Sequence, residues 1–493
     1  MMATTGLWML AAVAVTLIVT GLPAWTVLIG VAFAFSIGGL LVGAFTLPIL
    51  TAIPARIVGL LENDLLQALP LYVLMGALLN HLPLAQTLFR ASSRVLQRSG
   101  AGTELAGLGL GVLLAPMNGS VGASVATLSR TVFPRLDAAG TPAETSAALV
   151  CVASTLGIVV PPSLVLILLS DAMMRAHTEA LIATGASQRI INTQDVFAGA
   201  LVPAAILLAM DVFVTWKMRR RKNGRTAAVA CVPDAGEWAT AAATASFVAG
   251  LLIAVTLGYL YAVEAAAAGG VVLVSYGLAT RTLTRSVLRA VLRDTMAVTG
   301  TLFALLVGAT VFTLILRAYG TDRWVAAALV QLPGGAAATL AVVLACLALC
   351  ALVLDAFEMI FVVIPVLMPP LLMQIGDATW VAVLTLLILQ ASFLTPPFGY
   401  SVLMVRNSVR RAISARGMAR ALAPYLAAQL TVLALTLAWP ALIWHPNPSD
   451  LRSTAPAASS SEDEQRRMLE KQLEQNSEDD ANDAAKVPPA KPQ

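Results

Sequence analysis

Residues 154–170 read STLGIVVPPSLVLILLS, a run apolar enough to cross a membrane, with two adjacent prolines at its centre. A proline ring lacks the N–H that a helix uses to satisfy the carbonyl one turn earlier. Pro161 and Pro162 are therefore expected to leave the carbonyls of Gly157 and Ile158 without helical partners. In a bilayer such a break persists only where it is buried in protein or lines a polar cavity. Broken spans at matching positions in two halves of a chain point to the binding site of a secondary transporter. A second break is present: residues 392–400 read SFLTPPFGY, where Pro396 and Pro397 are expected to release the carbonyls of Ser392 and Phe393.

The rest of the chain is equally apolar. Of its 493 residues 58% are hydrophobic and 12% charged, against about 25% charged in soluble domains. With roughly 20 apolar residues needed per crossing, the runs suffice for on the order of a dozen crossings or re-entrant segments. The fold is read as all-α and polytopic: one membrane domain over residues 1–445, then a polar tail at 446–493, rich in Ser, Pro, Glu and Asp, that is expected to be disordered. The net charge of +4 does not indicate nucleic acid, because the basic residues cluster between apolar runs, as positive-inside topology requires. Cys151, Cys231, Cys346 and Cys350 show no disulfide spacing, and His81, His177 and His445 are too scattered for a metal site. Residues 1–25 lack a basic n-region, the first Lys or Arg being Arg56, so a retained helix is expected rather than a signal peptide.

Taken in order, the chain has room for one or two crossings before residue 50, divided if anywhere at Gly21-Leu22-Pro23. Arg90, Arg94 and Arg98 form a basic loop. Residues 107–134 enclose Pro116-Met117-Asn118-Gly119-Ser120, turn chemistry that a simple span would not carry. A re-entrant hairpin explains it. Arg281, Arg285, Arg289 and Arg293 recur at helical spacing and read as an interfacial helix. A second hairpin fits residues 337–373, interrupted by LDAFEM at 354–359, where Asp355 is a functional candidate as an intramembrane carboxylate. Gly76 and Gly308, Pro134 and Pro365, and Pro161 and Pro396 are each offset by roughly 230 residues, which argues for two related halves, about 66–222 and about 239–445. Arginines flank only the first hairpin, so the halves are read as inverted.

These stretches together, PLYVLMGALL, NGSVGASVATLSRTVFP, STLGIVVPPSLVLILLSD, VEAAAAGG, LDAFEMIFVVIPVLMP and LQASFLTPPFGYSVLMVR, resemble the large membrane subunit of tripartite ATP-independent periplasmic (TRAP) transporters, the DctM family. The resemblance covers residues from about 70 to about 440. It implies a permease in the bacterial inner membrane that imports a small organic acid, such as a dicarboxylic acid, by sodium symport. A periplasmic substrate-binding protein would deliver the acid, a small four-helix membrane subunit would complete the complex, and two hairpins and two broken helices would move as an elevator against a scaffold. Tyr261-Ala262-Val263 precede Glu264 where the family usually has Thr-Pro-Thr, and the acidic tail is unusual for it.

Sodium must exchange water for several oxygen ligands, which unwound backbone and helix ends can supply inside a membrane. The candidate ion ligands are Asn118, Gly157, Ile158, Asp355, Ser392, Phe393 and Thr395; the candidate substrate contacts are Ser120, Ser124, Ser154, Thr155, Pro161, Pro162, Pro396 and Pro397. The bland readings are that prolines merely kink helices and that the small residues at 119–127 merely pack closely. Two matched breaks, each beside a hydroxyl and a hairpin, favour a site. Within transport the alternative is a stand-alone sodium- or proton-coupled carboxylate or anion carrier. An intramembrane enzyme would need a nucleophile–base or metal grouping that the sequence does not offer at workable spacing, and a pure assembly scaffold would not need matched breaks.

The clusters at Arg90–Arg98, Lys217–Lys222, Arg281–Arg293 and Arg406–Arg420 are predicted to face the cytoplasm. Single cysteines placed in each should label with a membrane-impermeant thiol reagent only after the cell is opened. Labelling of any one cluster from outside would remove the hairpin assigned beside it.

Overall fold

The computed structural model describes residues 2–62, 64–114, 121–161, 163–221, 234–397, 399–409 and 413–443, and every regular element among them is helical. Asn118, Ser120, Pro162 and the tail at 446–493 lie outside the described residues.

The chain opens with α1 (Met2–Thr20) and α2 (Ala24–Leu41), divided where Gly21 takes a left-handed conformation at φ 62° and Pro23 precedes the second helix. The region thus holds two helices, of which α2 is long and apolar enough to cross a membrane. Short helices α3 (Pro48–Thr51) and α4 (Ile53–Leu61) lead at a bend of 54° into α5 (Asp64–His81). Then comes α6 (Leu84–Val95), which buries Leu84, Leu88 and Ala91 and leaves Arg94 exposed. The first hairpin is α7 (Gly102–Leu114) and α8 (Val121–Thr131), followed by α9 (Phe133–Ala138). The first broken span is α10 (Ala143–Val159) and α11 (Leu164–Thr184), followed by α12 (Thr193–Arg221).

Two further helices follow, α13 (Ala235–Thr256) and α14 (Ala262–Ala279). Next, α15 (Arg285–Ala318) runs for 34 residues, about 51 Å at 1.5 Å per residue, well beyond a hydrocarbon core of about 30 Å. A separate interfacial helix was expected here. Instead Arg285, Arg289 and Arg293 occupy the first turns of α15, because no proline or glycine interrupts residues 285–299 and the Thr284 side chain caps the start by accepting the Val287 N–H at 3.4 Å. After α16 (Thr321–Val330) the second hairpin consists of α17 (Gly335–Cys350), α18 (Ala356–Glu358), a π-helical segment (Met359–Val363) and α19 (Ile364–Leu372). The second broken span is α20 (Ala378–Leu394) and α21 (Tyr400–Ser408), and the last long helix is α22 (Ala415–Ala438). Among the described residues six helices are long and apolar enough to cross a membrane, or up to eight if each bent pair is one span.

Two kinds of helix result. Every residue of α10 from Ser146 to Val159 is buried, and α20 is buried along its length except at Trp380 and Ile388. A helix apolar on all sides belongs in the interior. Here α10 is enclosed by α7, α8, α20, α21 and α22. By contrast α2, α5, α14 and α15 pack on one another as a layer and leave large apolar side chains such as Phe33, Val271 and Met296 exposed, as lipid-facing helices do. Each broken span packs on the other's hairpin: α11 on α19 of the second, and α21 on α8 of the first.

The hairpin arm α7 meets α10 at Gly111, where a Cβ would stand 2.5 Å from the Ala153 carbonyl oxygen; at Gly109, on the same helix, a Cβ would meet nothing within 4 Å. Gly111→Ala should therefore destabilise the purified protein by about 1–3 kcal/mol through overpacking, whereas Gly109→Ala should be neutral or stabilising. Thermal midpoints of the two variants check this, and equal midpoints would mean that the arm is not seated on α10.

Candidate ion and substrate site

At the first break α10 ends at Val159 and Val160 is extended, at φ −76° and ψ 115°. Pro161 has no N–H for Gly157. The chain resumes at Ser163, whose hydroxyl acts in two directions: it donates to the Ile158 carbonyl at 3.3 Å and accepts the Leu166 N–H at 3.1 Å. The second bond is an N-cap, and α11 leaves at 42° to α10. The Ile158 carbonyl was expected without a partner. It has one, because the residue following the prolines is a serine that reaches back across the break.

The second break solves the same problem with a longer turn. Thr395 is extended at φ −76° and ψ 110°, its N–H is bonded to the Ser392 carbonyl at 3.1 Å, and the Gly399 N–H is bonded to the Thr395 carbonyl at 2.8 Å. The Pro396-Pro397 bond between them is cis. A Cβ at Gly399 would lie 2.5 Å from the Phe393 carbonyl oxygen, so only glycine fits the returning chain. The Ser401 hydroxyl then donates to the Phe393 carbonyl at 2.7 Å. The carbonyls of Ser392 and Phe393, expected to be free, are thus each occupied once, and each retains a second lone pair.

The side-chain hydroxyls near the breaks point the other way electrically. Ser154 donates to the Cys151 carbonyl at 2.8 Å, Thr155 to those of Cys151 and Val152 at 3.1 and 3.0 Å, and Thr395 to that of Ala391 at 2.8 Å. Each hydrogen is spent on the helix itself, which leaves the hydroxyl lone pairs as acceptors or cation ligands. Ser124 is buried on α8, which packs on both α10 and α21.

The second hairpin brings charge to this place. Its tip turns after Cys350, where the Val353 and Leu354 N–H groups bond back to the Cys350 carbonyl at 3.0 and 2.9 Å. The Asp355 N–H is bonded to the Glu358 carboxylate at 3.1 Å, restarting the helix, while Asp355 Oδ1 is buried without a hydrogen-bond partner. Tyr400, at the start of α21, stands within electrostatic range of Asp355 and Glu358, with its ring 5.9 Å from that of Phe393. The Cys151 thiol donates to the Ser401 carbonyl at 3.5 Å, which connects α10 to the second break. The structure thus brings Phe393 and Thr395 to the start of α21, seats the Asp355 tip against α11 and α15, and places Ser154 and Thr155 one turn along α10 from the Cys151 contact.

Sequence reasoning missed Ser163, Ser401, Tyr400 and Gln390, and singled out Glu358 only as a charge beside Asp355. Gln390 sits one turn before the second break, fully buried, with both amide atoms unpartnered. Its polarity within an apolar run was the available signal. Glu264, whose setting departs from the resemblance, starts a helix, its carboxylate accepting the Tyr261 N–H at 3.0 Å at the head of α14. Among the described residues no three His, Cys, Asp or Glu side chains cluster as metal ligands.

Fold and site together define a multi-pass helical membrane protein of the transporter class. The chain belongs to the family described as "Tripartite ATP-independent periplasmic transporter, DctM component", which it matches over residues 10–442. It is 28% identical over 217 residues to the C4-dicarboxylate TRAP transporter large permease protein DctM of Rhodobacter capsulatus, covering 42% of this chain and 47% of that protein. It is 25% identical over 162 residues to a putative TRAP transporter large permease protein of Haemophilus influenzae, covering 33% of this chain and 36% of that protein. The aligned stretches thus span less than half of either relative. The crystal structure of the Alcanivorax borkumensis YdaH transporter, described as having an unusual topology, superposes with a TM-score of 0.56 at 17% identity over 81% of this chain and 89% of that one; the likeness is one of fold.

Proposed function

We propose that this permease imports a small organic acid, a dicarboxylic or related acid, across the bacterial inner membrane by sodium symport. It receives the acid from a periplasmic binding protein and works beside a small four-helix membrane subunit. The observation that carries the reading is the packing of α10 on α21, between the two interrupted helices, and of the hairpin tip α18 on α11, with Asp355 Oδ1 buried and without a hydrogen-bond partner. An anionic oxygen left unpaired in a membrane interior is costly unless a cation or polar ligand visits it. Thr155, Thr395, Phe393 and Ser392 would offer neutral oxygen ligands, the type sodium takes at unwound helices. The dicarboxylate named for the Rhodobacter capsulatus relative supports the substrate class. The reciprocal contacts, α11 on α19 and α21 on α8, support two inverted halves whose hairpins and broken helices move together against the layer of α2, α5, α14 and α15.

Replacing both prolines of a break, Pro161→Ala with Pro162→Ala or Pro396→Ala with Pro397→Ala, should restore regular helix, since alanine is favoured there by about 3 kcal/mol per residue. The extra N–H groups would then consume the carbonyl lone pairs. Uptake against sodium concentration, in proteoliposomes holding both membrane subunits and the loaded binding protein, should show the half-saturating sodium concentration raised at least about tenfold, a loss of about 1.4 kcal/mol. An unchanged sodium response in both variants would make the breaks packing kinks. Uptake that does not need the binding protein would favour a stand-alone carrier.

A further inference from the structure

A cavity of about 370 Å³ lies beside the hairpin tip and is walled by α4, α11, α15, the π-helical segment and α19. Its volume falls in the range of about 300–1,000 Å³ typical of small-molecule sites. One wall is a charged stripe on α11, Asp171, Arg175 and Glu179, spaced four residues apart so that all three share a face. Opposite stand Arg317 near the end of α15 and Arg56 on α4, while Phe361, Pro365 and Pro369 of the second hairpin supply an apolar side.

The ion pairs in this cavity are unevenly made. Arg175 pairs with Asp171 on its own helix at 3.0 Å, and Arg317 reaches across to Glu179 at 2.9 Å and to the Pro365 carbonyl at 3.5 Å. Arg56 makes no ion pair among the described residues. Three guanidinium groups face two carboxylates, so the lining carries an excess positive charge that attracts anions. Guanidinium groups also hold carboxylates in a bidentate fork. Through Ile360 and Phe361 the cavity reaches to within two residues of Glu358 in sequence, and its rim lies at the end of α15 opposite the arginine stripe at 285–293.

We propose that this cavity is an anion vestibule on the extracytoplasmic side, where the carboxylate of a small organic acid binds Arg56 and Arg175 and displaces Glu179 from Arg317 on its way to the hairpin tip. The inference rests on the reading that the permease carries an organic acid. Glu179 acts as a resident carboxylate that holds the place until substrate arrives. Because the Arg317 contacts join α15 to α11 and to α19, displacement also unties the outer layer from the hairpin.

The test uses both membrane subunits in nanodiscs. Thr313→Cys, in the cavity wall, carries a bimane fluorophore, with Cys231, Cys346 and Cys350 replaced by alanine. Succinate is the probe, and chloride at matched ionic strength is the control. A saturable fluorescence change is expected with succinate and not with chloride. Arg56→Gln and Arg175→Gln should each raise the half-saturating concentration at least tenfold, Arg175→Lys should recover part of that loss, and Glu179→Gln should lower it several-fold, an improvement that misfolding does not produce. No saturable response, an equal response to chloride, or indifference to the arginine changes would overturn the vestibule. Uptake of labelled succinate by the complete transporter, measured in parallel, separates the two readings: uptake with a silent cavity removes the vestibule alone, and failure of both removes the organic-acid reading with it.

Discussion

Everything in this molecule follows from the requirement that backbone polar groups be paired where no water reaches them. Four prolines, at 161, 162, 396 and 397, remove donors at the ends of α10 and α20, the two arms buried almost throughout. The structure meets the deficit with hydroxyls. Ser163 and Ser401 each return a hydrogen bond to a carbonyl upstream of the break, on Ile158 and Phe393. A net hydrogen bond is worth only about 0.5–1.5 kcal/mol, but an unpaired buried group costs about 1–3 kcal/mol. The serines therefore keep the breaks stable while a second lone pair on each carbonyl remains open for a ligand.

The same requirement sets the architecture. Irregular backbone must be enclosed, so α10 and α20 lie inside a wrap of hairpins and neighbouring broken helices, and the regular helices α2, α5, α14 and α15 are left to face lipid. The hairpin tip at Asp355 adds a charge that regular helices alone would not place there. In the proposed function the enclosed set moves and the outer layer stays, with the Arg317 contacts to Glu179 and Pro365 spanning the seam between them.

Much of this was legible in the sequence because proline, glycine and charge are conspicuous in an apolar chain. The two breaks, the division at Gly21-Leu22-Pro23 and the second hairpin at 354–359 all follow from one residue type disturbing a uniform background. The exact partners were not legible. That Ser163 would cap α11 and also reach Ile158 depends on the turn's geometry, and that Ser401 would find Phe393 depends on the close return permitted by Gly399. The arginine stripe at 285–293 has the same spacing in an interfacial helix as in the first turns of a long span, so periodicity could not separate the two. The cavity between α11 and α15 joins Glu179 to Arg317, 138 residues apart, and only the fold brings such positions together.

The central claim is that the hairpins and broken helices move against the outer layer during transport. The most direct measurement is uptake by a Glu179→Cys, Arg317→Cys variant, reconstituted with its partners, before and after bridging the two cysteines with a short reducible thiol cross-linker. The account predicts that the bridge stops uptake and that reduction restores it to the level before cross-linking. Undiminished uptake with the bridge in place would show that α11 and α15 need not separate, and would contradict the account.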